Sequence, residues 1–159
     1  MKITSTLAFE ATPDRVRNML INPDFSAYIA EEIHADSVQS TQSDQGLRTE
    51  FVVASPDQAK RFLGKTMTIA ETLTWKATDG DTHTGTLDLG VKGVPGGAQG
   101  VISLSPTPQG STLVYDADFS VRIPLVGKQV EKLARTHLTD IIHAAEKVGN
   151  TWLKDNPSE

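Results

Sequence analysis

The residue whose type and position best suit chemistry is Glu71. Between residues 66 and 75 apolar and polar side chains alternate, and Glu71 falls on the same face as Ile69 and Leu73. A carboxylate on an apolar face is costly unless it is paired or hydrated, because desolvation disfavours its charged form. The functional interpretation makes Glu71 an acid, a base or the polar anchor for a ligand's hydroxyl or amine. The simpler interpretation is that solvent or a salt bridge compensates the charge.

Three more polar side chains share a face with apolar neighbours. His137 lies in the apolar stripe of the last predicted helix, where an imidazole could donate to a ligand carbonyl, shuttle a proton or simply be hydrogen-bonded in a core. His83 shares a face with Leu87, and Tyr115 shares one with Leu113. With Glu71 these groups could orient a ligand, but they match no known catalytic pattern, so we assign no catalytic residue.

No metal, cofactor or phosphate site is predicted. The four histidines lack metal-ligand spacing, and the chain contains no cysteine. The segment Gly64-Lys65-Thr66 is similar to the end of a phosphate-binding loop, but Ala59 stands where the first glycine is required. That segment also leads into a strand, whereas a phosphate loop leads into a helix.

The elements that must position these side chains follow from periodicity and turn signals. Residues 2–11 alternate as a strand, and Thr12-Pro13 and Asn22-Pro23 each supply an N-cap and a first-turn proline for a short helix, the second ending near Glu32. Glycine-containing turns, among them Asp79-Gly80 and a wide one at 93–97, then separate six strands. These strands are predicted near 33–43, 47–54, 66–77, 81–91, 98–106 and 111–123.

A long amphipathic helix is predicted for residues 124–156. Its apolar stripe comprises Val126, Val130, Leu133, Ala134, Ile141, Ala145, Val148 and Trp152. A single helix laid across a strongly coiled sheet cannot fill the whole concave face, so we expect a cavity between them. The predicted cavity lining is Glu71, Leu73, His83, Tyr115, Val130, His137, Ile141, Ala145 and Val148. Residues 55–64 are either a loop with a helical turn or an excursion that gates the cavity.

Composition narrows the class of protein. With 159 residues, 38% of them hydrophobic, the chain is long enough to form one domain, residues 1–159, that buries a hydrophobic core. No apolar run is long enough to cross a membrane or to form a signal peptide, which predicts a cytoplasmic protein without integral membrane association. The net charge of −5 and scattered basic residues argue against nucleic acid, and we interpret Lys60, Arg61 and Lys65 as a solvated loop.

Three segments carry a resemblance to a known superfamily: Thr12-Pro13-Asp14-Arg15-Val16, the helix break at Asn22-Pro23, and Ile123-Pro124-Leu125-Val126-Gly127 leading into the last helix. The chain resembles the helix-grip superfamily of START lipid-transfer domains, the major birch-pollen allergen and polyketide cyclases. It looks most like an uncharacterised, chiefly actinobacterial family of unknown function. The resemblance implies an α+β helix-grip fold: a seven-stranded curved antiparallel sheet, two short helices and a long C-terminal helix in a single START-like domain.

The functional expectation is a binding protein, and possible carrier, for a hydrophobic or amphipathic small molecule held between the last helix and the sheet. One alternative is a cyclase- or hydratase-like enzyme, which requires two of the four polar groups to converge on one enclosed point. Another is an interaction module without a ligand, for which a filled core and an exposed apolar patch are expected. The sequence assigns neither the ligand nor the oligomeric state.

Overall fold

The computed structural model describes residues 1–77 and 80–157. The predicted turn at Asp79-Gly80 therefore lies partly outside the described residues. The elements, in chain order, are β1 (Lys2–Phe9), α1 (Pro13–Leu20), α2 (Pro23–Glu32), β2 (Ser37–Gln42), β3 (Gly46–Ala54), α3 (Lys60–Leu63), β4 (Thr66–Trp75), β5 (His83–Val91), β6 (Gly96–Thr107), β7 (Gly110–Val121) and α4 (Gly127–Asp155).

The seven strands form one antiparallel sheet in the order β1-β7-β6-β5-β4-β3-β2. Strands β2 to β7 follow one another as hairpins, and β1 joins the free edge of β7. Helices α1 and α2 connect the two edge strands of the sheet, and α4 packs against its concave face. The predicted helix-grip fold, with its curved seven-stranded sheet and long C-terminal helix, is confirmed.

The two short helices begin where the cap signals predict. Thr12 Oγ1 accepts a hydrogen bond from the Arg15 amide at 3.4 Å, and Asn22 Oδ1 accepts one from the Asp24 amide at 2.9 Å. The predicted start of β2 near residue 33 is wrong by four residues. Ile33 instead caps α2 through its amide, and His34 takes a positive φ of 56°, so the chain turns before the strand begins at Ser37.

The C-terminal third of helix α4 packs tightly against the rest of the fold. Val148 and Leu153 are buried there, and the rings of Trp152 and Tyr28 form a T-shaped pair with 5.0 Å between centroids. Gly149 permits this close approach, because a Cβ at that position would lie 2.5 Å from Cε1 of Phe9. The apolar side chains between residues 130 and 145 are only half-buried. The first two thirds of the helix therefore span a hollow.

Small residues on the concave face of the sheet explain why this hollow stays unfilled. The cross-strand register aligns Leu87 of β5 with Gly100 of β6 and Ala117 of β7, and Ala98 lies two residues along β6. A Cβ on Gly100 would lie 2.7 Å from the Cβ of Ala117. Glycine and alanine thus let neighbouring strands coil tightly while projecting almost nothing toward α4.

Candidate ligand-binding cavity

The hollow beneath α4 consists of two adjoining chambers. The inner chamber contains about 950 Å³ of empty space, including its opening, and lies over the middle of the sheet. Its lining is mainly apolar and comprises Ile3, Leu20, Phe25, Ser26, Ile29, Leu47, Phe51, Glu71, Leu73, Leu87, Leu89, Ala98, Tyr115, Ala117, Leu138, Ile141, Ile142 and Ala145. Ser26, Glu71 and Tyr115 are its polar side chains.

The outer chamber contains about 710 Å³ of empty space, including its mouth, and adjoins the inner one at Leu89, Leu138 and Ile141. Apart from His137 at its rim, its side chains are apolar. The segments that surround it are the α3 region, the turn between β5 and β6, the end of β7 and the first half of α4. Together the two chambers offer an elongated apolar space with Ser26, Glu71 and Tyr115 in its inner part and His137 at its outer rim.

Glu71 is the most unusual group in the inner chamber. It lies on β4, opposite Thr49 of β3 and Leu89 of β5. Within the described part of the chain, its carboxyl group has no hydrogen-bond or ion-pair partner. Burial among the apolar lining raises the pKa of Glu71 from 4.5 to about 7, because desolvation disfavours the carboxylate. Near neutral pH this group is therefore poised between its two protonation states.

Tyr115 lies on β7 and shares the inner chamber with Glu71. Burial raises the pKa of the Tyr115 hydroxyl above its ordinary value, and the negative charge of Glu71 raises that pKa further. Tyr115 is consequently neutral at physiological pH and able to donate a hydrogen bond. A third polar group, the Ser26 hydroxyl, lies 3.3 Å from the hydroxyl of Thr49.

The structure divides the nine side chains of the predicted lining among three places. Glu71, Leu73, Tyr115, Ile141 and Ala145 line the inner chamber, and Val130, His137 and Ile141 line the outer one. His83 and Val148 line neither chamber. For Val148 the reason is its position in the anchored third of α4, where it packs in the main core.

His83 occupies a different environment from the one that its strand pattern predicts. It is 4% exposed, its ring meets the edge of Trp75, and its Nε2 lies 2.7 Å from Oδ1 of Asp14 in α1. Alternation correctly places His83 on the inward face, but it does not tell how far along β5 the cavity extends. His83 starts that strand, where α1 and the core cover the sheet.

His137 lies at the rim of the outer chamber with an exposed side chain, so it does not meet Glu71 or Tyr115 in the inner one. The next residue, Leu138, lines both chambers instead. Only one pair of the four predicted polar groups, Glu71 with Tyr115, shares an enclosed space.

Sequence reasoning missed several lining residues. Ser26 lies on α2, and Ala98 and Ala117 form part of the chamber floor. The signal for the floor was present, because small residues at inward positions of adjacent strands indicate a hollow. Residues 55–64 form a 3-10 turn, Asp57–Ala59, followed by α3, and this stretch contributes Pro56, Ala59 and Leu63 to the lining of the outer chamber.

Two features are absent from the described residues. No group of three or more His, Asp or Glu side chains there has an arrangement that could bind a metal ion. Within the same residues, no helix combines the length and hydrophobicity needed to cross a membrane.

Solved structures with a similar fold include three instructive cases. TTHA0849 from Thermus thermophilus is 15% identical, with a TM-score of 0.71, 99% of this chain covered and 100% of the other. The di-domain ARO/CYC StfQ from the steffimycin biosynthetic pathway is 15% identical with a TM-score of 0.65, over 98% of this chain and 51% of StfQ. Ara h 8.0201 is 14% identical with a TM-score of 0.57, over 92% and 95%. At these identities the likeness shows the fold alone.

No curated protein matches the sequence. The sequence profile of a family described as "Protein of unknown function (DUF2505)" matches residues 4–153, which is nearly the whole chain. The protein therefore belongs to the DUF2505 family.

Proposed function

We propose that this protein binds an elongated hydrophobic or amphipathic small molecule between α4 and the concave face of the sheet. The observation that carries the proposal is the pair of adjoining apolar chambers with an unpaired carboxyl group, Glu71, at the inner end. Burying about 300 Å² of apolar ligand surface contributes roughly 7 kcal/mol, before immobilisation costs of several kcal/mol. A polar group on the ligand that reaches Glu71 or Tyr115 adds affinity and fixes the orientation.

The fold comparisons support the same class of ligand. StfQ is named as an ARO/CYC of a biosynthetic pathway, and this chain shares its fold at low identity. A small organic molecule is thus a reasonable occupant of the cavity, and carriage of that molecule between partners would follow from reversible binding. We retain from the sequence the proposals that the chain is one domain, cytoplasmic, and of a chiefly actinobacterial family.

Cavity filling tests the binding proposal. Ala117→Leu places a larger side chain on the floor of the inner chamber, whereas Ala8→Leu makes the same change at an exposed position of β1. We expect Ala117→Leu to weaken binding of fatty acids and polycyclic aromatic probes by about tenfold or more, because the leucine occupies ligand volume. Ala8→Leu should bind like the wild type.

The assay is displacement of a fluorescent apolar dye, accompanied by mass spectrometry of solvent extracts from the purified protein. Thermal denaturation shows whether each variant is folded. Equal dye binding by the wild type and a folded Ala117→Leu variant would contradict the proposal.

Acid or base catalysis is a second candidate function, favoured by one specific observation. Glu71 has a pKa of about 7 and shares an enclosed chamber with the neutral hydroxyl of Tyr115. A carboxyl group with a pKa near ambient pH is suited to proton transfer in a cyclisation or a hydration. Turnover of a polyketide-like substrate that Glu71→Gln abolishes, while binding of the same compound persists, would support an enzyme. Turnover unaffected by Glu71→Gln would refute this role.

A further inference from the structure

Positive charge is concentrated in three short segments of this acidic protein. Residues 55–65, 91–97 and 121–135 carry eight Lys and Arg side chains and two carboxylates, a net charge of +6. The rest of the sequence carries a net charge of −11. Along the sequence the basic residues look scattered, because the three segments are far apart in the chain.

Folding brings these three segments together around the mouth of the outer chamber. Each contributes apolar side chains to the chamber lining: Ala59 and Leu63 from the first, Val91 and Val94 from the second, and Val121, Val130 and Leu133 from the third. The Arg122 amide donates to the Pro95 carbonyl at 3.0 Å, which joins the second segment to the third. We call the exposed residues of the three segments the mouth surface.

Most basic side chains of the mouth surface are exposed without an ion-pair partner in the described part of the chain. All eight residues are exposed. Two of them are paired, Lys60 with Asp57 and Lys92 with Glu50. Among the described residues the other six have no ion-pair partner: Arg61, Lys65, Arg122, Lys128, Lys132 and Arg135. Their charge is therefore available to an anionic surface.

Two large apolar side chains project from the same surface. Leu125, in the turn before α4, is fully exposed, and Phe62 of α3 is 47% exposed. The Phe62 ring lies near the first half of α4 and has the Arg61 guanidinium 5.9 Å from its centroid. Exposed apolar side chains surrounded by basic ones suit a lipid interface, where the apolar groups enter the acyl boundary and the cations meet the headgroups.

We propose that the mouth surface docks on an anionic lipid bilayer, with Phe62 and Leu125 inserted and the opening of the outer chamber facing the lipid. Charge complementarity favours this partner, since six cations without an ion-pair partner among the described residues lie on the segments that line the outer chamber of an otherwise acidic protein. Phosphate groups alone, as in a nucleic acid, would leave Phe62 and Leu125 in water. This docking is a property separate from the proposed ligand binding, because the mouth surface is present whether or not a ligand occupies the chambers.

Vesicle flotation with the full chain tests the proposal. The protein is mixed either with vesicles of phosphatidylcholine alone or with vesicles of equal parts phosphatidylcholine and phosphatidylglycerol. We expect flotation only with the anionic vesicles and its loss at high salt, because exposed charges are screened. Lys128→Gln with Lys132→Gln should weaken binding by roughly twenty-five-fold, at roughly five-fold for each basic residue near an anionic surface. Lys76→Gln with Lys154→Gln makes the same change in net charge away from the mouth and should have little effect.

The apolar part of the surface needs its own variants. Phe62→Ser with Leu125→Ser should weaken vesicle binding severalfold, whereas Val101→Ser with Val114→Ser removes exposed apolar side chains of β6 and β7 and should not. Ala117→Leu should leave vesicle binding intact even where it abolishes ligand binding, so the two proposals can fail separately. Absence of flotation with anionic vesicles would overturn docking. Equal binding to duplex DNA, with no effect of the Phe62 and Leu125 variant, would also overturn it.

Discussion

Replacing Glu71 by glutamine tests whether the inner chamber is dry enough to hold a carboxyl group in its neutral form. Glutamine has nearly the same shape as protonated glutamate and carries no charge at any pH. The unfolded chain loses the Glu71 proton near pH 4.5, whereas the native protein holds it up to about pH 7. Between these two values the native state binds the extra proton, so the contribution of Glu71 to stability falls as pH rises. Well above pH 7 both states are ionised and the loss is complete.

The size of the effect follows from the two pKa values. At about 1.4 kcal/mol for each pH unit between them, ionised Glu71 lowers the free energy of unfolding by about 3 kcal/mol. We therefore expect Glu71→Gln to match the wild type near pH 4.5 and to become progressively more stable than the wild type up to pH 8. The final difference should be on the order of 3 kcal/mol.

Urea denaturation of both proteins at a series of pH values measures this difference directly. The control is Glu10→Gln, which removes one negative charge at an exposed position near the end of β1. A wild-type-minus-variant difference that stays constant between pH 5 and pH 8 would show that Glu71 is hydrated or paired, and the reasoning about the chamber would be refuted.

Three further predictions concern the ligand and the packing of the helices. Long-chain primary amines should bind more tightly as pH rises through about 7, because Glu71 ionises, and Glu71→Gln should remove that pH dependence in a dye-displacement titration. An amine affinity of the wild type that does not change with pH would contradict this prediction. Gly149→Ala should lower the free energy of unfolding by about 1–3 kcal/mol despite the better helix propensity of alanine, since its Cβ would meet Phe9. Urea denaturation measures this change, with Thr151→Ala on the exposed side of α4 as the control. Equal unfolding free energies for the two variants would contradict the prediction. Asp14→Ala should cost about 1 kcal/mol more than Asp24→Ala, which changes the same helix position without a bond to His83. Equal unfolding free energies for these two variants would count against a role for that bond.

The fold was within reach of the sequence because its signals are local. The caps at Thr12 and Asn22, the two-residue alternation of the strands and the apolar stripe of α4 each depend on neighbours in the chain. The same alternation correctly placed Glu71 and Tyr115 on the concave face. It failed at the start of β2, where the positive φ of His34 prolongs the turn after α2.

The extent of the cavity was decided by tertiary structure. Strand periodicity tells which way a side chain points, but whether it meets core or empty space depends on what packs above it. His83 therefore lies against Trp75 and α1, while Glu71 meets a chamber. His137 lies at the rim of the outer chamber and not beside Glu71. A helical wheel cannot distinguish these two places, because it does not fix how far a helix sits from the sheet.

Charge shows the same division between local and tertiary information. The sequence by itself determined the net charge, the fold class and the inward face of Glu71, all of which follow from residue counts or from periods of a few residues. Only the tertiary structure placed residues 55–65 beside 121–135, so that two basic segments far apart in the chain line the same chamber. Separation along the chain does not predict the distance between these two segments, because the pairing of the four strands between them sets that distance.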